Sequence, residues 1–340
     1  MRGGLFLAYW PWFTPEEQLE CAVIADEAGL DSVWVAEGWG QDVVSLLGFL
    51  AGRTERVALG SGLMQIPARK PTATAMAACT IDVLSHGRMR LGLGLSGPQV
   101  SEGWYGVPFG RPLARTREYV DVVRRVLAGE KVQLPLESDA PASGLGKPLR
   151  LLARPVQQPI PIYLGAIGPR AIAQVGEIAD GWLPFLLDPA MPELMMGPFE
   201  EGLAQAGRPR DAFDVAPMVP LAIAEDRAAA REKVRPIIAF YLGGMGHASK
   251  NFYVEAAERY GHGESARAVQ ERFLAGDRAG AGAALSDELI DAVSIATDAR
   301  GLDERLAAYE RAGADTVLAI PCGEREDKLR AARAFAAALG

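Results

Sequence analysis

Runs of lysine or arginine are missing from this sequence. At a formal net charge of −8 over 340 residues it has no stripe of cations able to track a phosphate backbone, so nucleic acid is excluded as a partner. Cysteine is scarce: Cys21, Cys79 and Cys322 form no CxxC pair. That count argues against a disulfide framework and against a zinc site, and suits a reducing compartment. The three histidines, His86, His247 and His262, show no metal-ligand or triad spacing. Long apolar runs are absent as well. The opening stretch, residues 1–13, is broken by Pro11 and too short to span a membrane, so a soluble cytoplasmic protein acting on small molecules is expected.

What is present is enough apolar residue, 49% of the chain, for one large core. Short aliphatic runs alternate with amphipathic stretches, such as 16–28 and 70–84, almost from end to end. This is the pattern of βαβ units around a parallel sheet. Eight strands are expected, at 4–9, 32–36, 56–62, 89–95, 161–165, 181–184, 214–223 and 316–321. The fold class is therefore α/β, and the expectation is a closed (β/α)8 TIM barrel in which residues 1–340 form a single domain. An open doubly wound sheet would carry a glycine-rich phosphate loop after its first strand. Here Tyr9-Trp10-Pro11-Trp12 stands in that place.

Two phrases, Glu27-Ala28-Gly29-Leu30-Asp31-Ser32-Val33 and Arg311-Ala312-Gly313-Ala314-Asp315-Thr316-Val317, read as helices ending at a left-handed glycine before a strand. Insertions are expected after strand four, at about 96–158, and after strand seven, at about 241–296. The first divides into 96–111 and a Pro/Gly-rich excursion at 129–158, and the last has its own helices at 264–275 and 286–293. Insertions that follow strands lie on the C-terminal face, where barrel enzymes assemble their sites.

The strand ends carry the chemistry. Strand five runs into Gly165-Ala166-Ile167-Gly168-Pro169, a turn whose amides and following helix start suit a phosphate, or else form an ordinary tight turn. Glycines at the ends of strands three and four, Gly60 and Gly62, Gly92 and Gly94, leave room for a flat ring or serve a bend in the sheet. Glu37 ends strand two beside Trp39. It is a candidate acid or base, or else a salt-bridged cap. Trp10, Trp12, Trp39, Trp104 and Tyr105 all fall in predicted loops and suggest an aromatic pocket. His86 falls on the opposite face, and His247 and His262 in the last insertion.

These phrases, with Val33-Trp34-Val35-Ala36-Glu37, Leu84-Ser85-His86-Gly87-Arg88, Gly103-Trp104-Tyr105-Gly106 and Arg115-Thr116-Arg117-Glu118-Tyr119, resemble the luciferase-like monooxygenase superfamily over nearly the whole chain. Within it the sequence is similar to the branch of oxidoreductases dependent on coenzyme F420, a deazaflavin. The resemblance implies hydride transfer between the deazaflavin C5 and a small organic substrate, for example reduction of an activated C=C or C=N bond. It implies a bulge after strand three, with a cis peptide at Gly62–Leu63 backing the ring. It also implies Leu95 and Ser96 beside the cofactor, and Gly165, Ala166, Ile167 and Gly168 at its phosphate.

On this reading Glu37 handles the proton, Trp39 stands beside it, and Trp10, Trp104 and Tyr105 shape the substrate pocket. Residues 242–253 form a lid or a surface excursion. Gly97 stands where sugar-phosphate dehydrogenases of the branch carry a glutamate, which puts such a substrate in doubt. A homodimer is the family expectation. The alternatives are an FMN-dependent monooxygenase supplied with reduced cofactor by a separate reductase, and a non-catalytic ligand-binding barrel.

Overall fold

The strands of the computed structural model, which describes residues 1–136 and 142–340, are β1 (Arg2–Leu7), β2 (Ser32–Val35), β3 (Ala58–Ser61), β4 (Met64–Gln65), β5 (Met89–Gly94), β6 (Ile162–Leu164), β7 (Gly181–Trp182), β8 (Asp214–Val215), β9 (Met218–Ile223), β10 (Ile295–Thr297) and β11 (Thr316–Pro321). The ladders between these strands are parallel, and β1 sits between β11 and β2. From β2 the sheet passes through β3, β5, β6 and β7 to β8. Residues 214–223 then close the ring, because β9 pairs with β11 and Met218 bridges Phe185 beyond β7. This is the eight-staved TIM barrel.

Two staves are interrupted. The third breaks at Gly62–Leu63, a cis non-prolyl peptide, and resumes as β4 against β5. The seventh breaks at Ala216-Pro217, where proline has no N–H for a ladder.

The interior is filled by large side chains that glycines admit. Trp34 and Tyr163 meet with ring centroids 4.8 Å apart. A methyl group on Gly60 would lie 2.2 Å from the Trp34 ring, and one on Gly181 would lie 2.1 Å from Tyr163. Gly60 thus makes room for the core and not for a cofactor. Below these rings the barrel is sealed by a polar network. Tyr163 Oη donates to Asp214 Oδ2 at 2.8 Å, Thr316 Oγ1 to Asp214 Oδ1 at 2.9 Å, and Arg2 pairs with Asp214 at 2.9 Å.

The connections follow local signals. The helix Pro15–Ala28 begins with a capping box between Thr14 and Glu17 and ends at Gly29, φ 80°. Gly313, φ 92°, turns the chain into β11 in the same way.

The insertions depart from expectation. Residues 96–111 follow β5 and contain the short π-helical turn Gln99–Trp104. The excursion at 129–158 follows the helix Pro112–Leu127, so it leaves from the opposite end of the barrel and not from the mouth. Val132 and Leu149 pair across it in antiparallel fashion, with N···O distances of 2.8 and 3.1 Å. Residues 137–141 within it lie outside the described residues.

The last insertion is shorter than expected at both ends. The helix Arg227–Gly244 runs past position 241, and residues 295–297 are the strand β10, paired with Leu221–Ile223 of β9. Between them lie the helices Phe252–Arg259, Gly263–Leu274, Arg278–Ala284 and Asp287–Val293.

Candidate functional site

The interruption of the third stave throws the side chain of Leu63 across the barrel mouth. A methyl group on Gly165 would come within 2.2 Å of Leu63 Cδ1, and one on Gly94 within 2.8 Å. Leu63 therefore occupies the hollow that these glycines leave, and forms the floor of a cavity of about 690 Å³. Leu95, Ser96, Gly165, Ala166, Ile167 and Gly168 line the same cavity. Gly62 does not, because its own face is packed against Phe6. Ser96 adopts φ 60°, a left-handed conformation that costs a non-glycine residue about 1 kcal/mol and is concentrated at functional sites.

At one end of the cavity Gly168 caps the helix Pro169–Ile178. Pro169 at the first helical position fixes φ without needing an N–H, and no side chain caps the helix start. Ala171 and Ile172 both donate to Gly168 O, whereas the amides of Ile167 and Gly168 have no acceptor among the described residues. Arg111, Arg170 and Lys250, from three separate segments, line the same cavity. None of the three is ion-paired among the described residues. A positive helix end with free amides and unpaired cations lining the same cavity has the chemistry that suits an anion.

The far wall is apolar and aromatic. It includes Phe109, Phe185, Met245, Phe252 and Tyr253. Tyr241 packs behind, 4.4 Å from Phe185 and 5.2 Å from Tyr253 by ring centroids. Burial pushes the Tyr241 hydroxyl up to about 12 and raises those of Tyr253 and Tyr9 as well, so all three stay protonated near neutrality. The segment 245–253 is held by Asn251, which is buried. Its Nδ2 donates to Leu242 O at 2.6 Å, and its Oδ1 accepts from the amides of Tyr253 and Val254.

The other expected site residues are placed elsewhere. Glu37, Trp39, Trp10, Trp104 and Tyr105 lie outside the lining of the cavity. Trp10, Trp39 and Trp104 are exposed. The aromatic wall is therefore drawn from Phe109, Phe185 and the last insertion, not from the loop tryptophans.

Glu37 is buried, and both its oxygens are occupied. Arg69 grips them at 2.7 and 2.6 Å, the Gln65 amide donates at 2.8 Å, and that of Val43 at 3.3 Å. This carboxylate ties β2 to the helix Val43–Ala51 and to the chain after the bulge, which leaves no lone pair free for proton transfer at the cavity. Glu37→Gln is expected to cost about 2–3 kcal/mol of stability, because Arg69 keeps only Asp42 as a charged partner. Chemical unfolding checks this as a lower midpoint at unchanged slope.

Arg111, Arg170 and Lys250 were not legible as a group. Each is an isolated cation in sequence, and only the fold brings them together. Phe185 carries no signal beyond following an expected strand.

A family model described as luciferase-like monooxygenase matches residues 2–316. The chain is 42% identical over 308 residues, 88% of each chain, to a Mycobacterium tuberculosis protein named "Putative coenzyme F420-dependent oxidoreductase Rv3520c". It is 32% identical over 281 residues, 80% of each chain, to 5,10-methylenetetrahydromethanopterin reductase of Archaeoglobus fulgidus. Its fold matches the coenzyme F420-dependent tetrahydromethanopterin reductase of Methanopyrus kandleri with a TM-score of 0.82 at 27% identity, over 98% of this chain and 97% of that one. The interrupted third stave, the capped turn after strand five and these matches lead to one assignment: the chain belongs to the luciferase-like monooxygenase family.

Proposed function

We propose that the chain is an oxidoreductase that binds coenzyme F420 in the cavity floored by Leu63 and acts on a small organic substrate. The observation that carries this reading is that three cations with no ion-pair partner among the described residues, Arg111, Arg170 and Lys250, line the same cavity as Ile167 and Gly168, whose amides are free. F420 carries a phosphodiester and a tail of carboxylates, whereas FMN carries one phosphate. Three cations in a chain of net charge −8 suit the more highly charged ligand. The names of the mycobacterial and archaeal relatives support the same cofactor.

When bound, the deazaflavin supplies a C5 carbon that gives or accepts hydride. The residues of the chain do the rest. Leu63 offers an apolar shelf for a flat ring. The amides at 167 and 168, with the three cations, hold the anionic end. Met245, Phe252 and Tyr253 shield the space above the shelf from water. Tyr253 Oη, kept protonated by burial, is a hydrogen-bond donor on that wall.

The homodimer belongs to the same proposal. Phe49, Met76, Val83 and Leu84 expose apolar surface on the helices Val43–Ala51 and Pro71–Leu84.

Fluorescence titration with F420 and with FMN tests the cofactor. F420 is expected to bind at micromolar concentration, at least about tenfold more tightly than FMN, with an affinity that falls as salt rises. FMN binding as tight as F420 or tighter would overturn the assignment and leave a monooxygenase fed by a separate reductase.

A further inference from the structure

The free amides of the turn after strand five are turned toward the cavity by groups that hold its carbonyls on the other side. Trp182 Nε1 donates to Ala166 O at 3.2 Å, and Arg259 Nη2 donates to Ile167 O at 2.9 Å. In a trans peptide the C=O of one residue and the N–H of the next point in opposite directions. Neither of these two peptides is among the cis bonds of the chain. Tying Ala166 O and Ile167 O to Trp182 and Arg259 therefore sends the Ile167 and Gly168 N–H groups the opposite way. Both residues line the cavity, and neither amide has an acceptor among the described residues.

We propose that Arg259 and Trp182 are positioning residues for the anion-holding turn, with Arg259 coupling that turn to the wall formed by the last insertion. Arg259 ends the helix Phe252–Arg259, whose first residues, Phe252 and Tyr253, line the cavity. One helix thus contributes both an apolar wall and the clamp on the anion site. Seating of that helix and capture of the ligand's phosphate favour each other. Trp182 is fully buried and stacked on Phe199, with centroids 5.4 Å apart, so its donor is rigidly placed. Arg259 is only partly buried and sits on the insertion, which makes it the adjustable partner.

The inference rests on the reading of this cavity as a site for a phosphorylated cofactor, and the test separates the two. Binding is titrated for two pairs of ligands, F420 and its phosphate-free chromophore, and FMN and riboflavin. The proteins are the wild type, Arg259→Met and Arg259→Lys. Arg259→Met is expected to weaken the phosphorylated member about tenfold and to leave the phosphate-free member within about twofold.

Arg259→Lys, which restores a donor, is expected to recover most of the loss, which a merely structural role would not produce. Trp182→Phe keeps the stacking, loses the donor, and is expected to show a smaller loss of the same selectivity. Equal weakening of both members of a pair, or no weakening, overturns the proposal. If the wild type binds FMN and not F420 with the same dependence on Arg259, the clamp stands and the cofactor assignment falls. If it binds neither pair, both fall.

Discussion

Asp82→Ala is expected to lower the unfolding free energy by about 3–5 kcal/mol, a loss in the range that breaking a buried polar network produces. Asp82 lies on the helix Pro71–Leu84 and is fully buried. Its Oδ2 accepts from the amides of Val156 and Gln157 at 2.6 and 3.0 Å, and its Oδ1 from Gln157 Nε2 at 2.6 Å. The Gln157 side chain also reaches Met89 O at 2.7 Å. One carboxylate therefore fixes the return of the 129–158 excursion just before β6 enters the sheet. Alanine leaves two backbone N–H groups and one amide without their acceptor, and each such orphan costs about 1–3 kcal/mol. Asparagine keeps the shape and part of the bonding, so Asp82→Asn is expected to lose roughly half as much. Equilibrium denaturation followed by tryptophan fluorescence measures both. A cost below about 1 kcal/mol for alanine would show that the excursion is held by something else.

Gly168→Asp is expected to abolish cofactor capture while leaving the fold intact. Gly168 has φ −79° and ψ 142°, a conformation open to any residue, and a methyl group there meets nothing within 4 Å. Aspartate is also a favoured helix cap and gains a few tenths of a kcal/mol over glycine at such a position. The thermal midpoint should therefore hold or rise.

The carboxylate, however, caps the first turn of the helix and sets a negative charge beside the free amides, against the incoming phosphate. Like charges about 4 Å apart at a protein surface repel by about 4 kcal/mol, so affinity is expected to fall at least about 100-fold. Gly168→Asn fills the same space without the charge and is expected to lose far less. Unchanged affinity in Gly168→Asp would move the phosphate to another part of the cavity.

What could be read from the sequence was local. Gly29 and Gly313 announced their left-handed turns because the conformation and the residue that permits it coincide. The turn at 165–168 was visible because two glycines and Pro169 fall within five residues.

What could not be read depended on partners distant in the chain. Glu37 read equally as a free strand-end acid or base and as a salt-bridged cap, and only the fold decides for the second, because nothing near it in sequence reveals Arg69. Ile295–Thr297 is too short to declare itself a strand, and is one only because Leu221–Ile223 lies beside it. The tryptophans at 10 and 39 were placed correctly in loops, and Trp104 ends the π-helical turn Gln99–Trp104, but position in the chain does not say which way a ring faces. The clamp formed by Trp182 and Arg259 has no local pattern at all, because both donors serve carbonyls whose own residues give no sign of needing them.

The pairing of β10 with the end of β9 has a consequence for how this chain diversifies. The helices between those strands leave the sheet at Ile223 and re-enter it beside the same three residues. To the barrel they are a closed cassette with a fixed socket. Substitution, lengthening or exchange of that cassette with a relative's alters one wall of the cavity and the Arg259 clamp, and leaves every other ladder in register. A single scaffold can thus be retargeted to new substrates by trading one contiguous stretch of sequence.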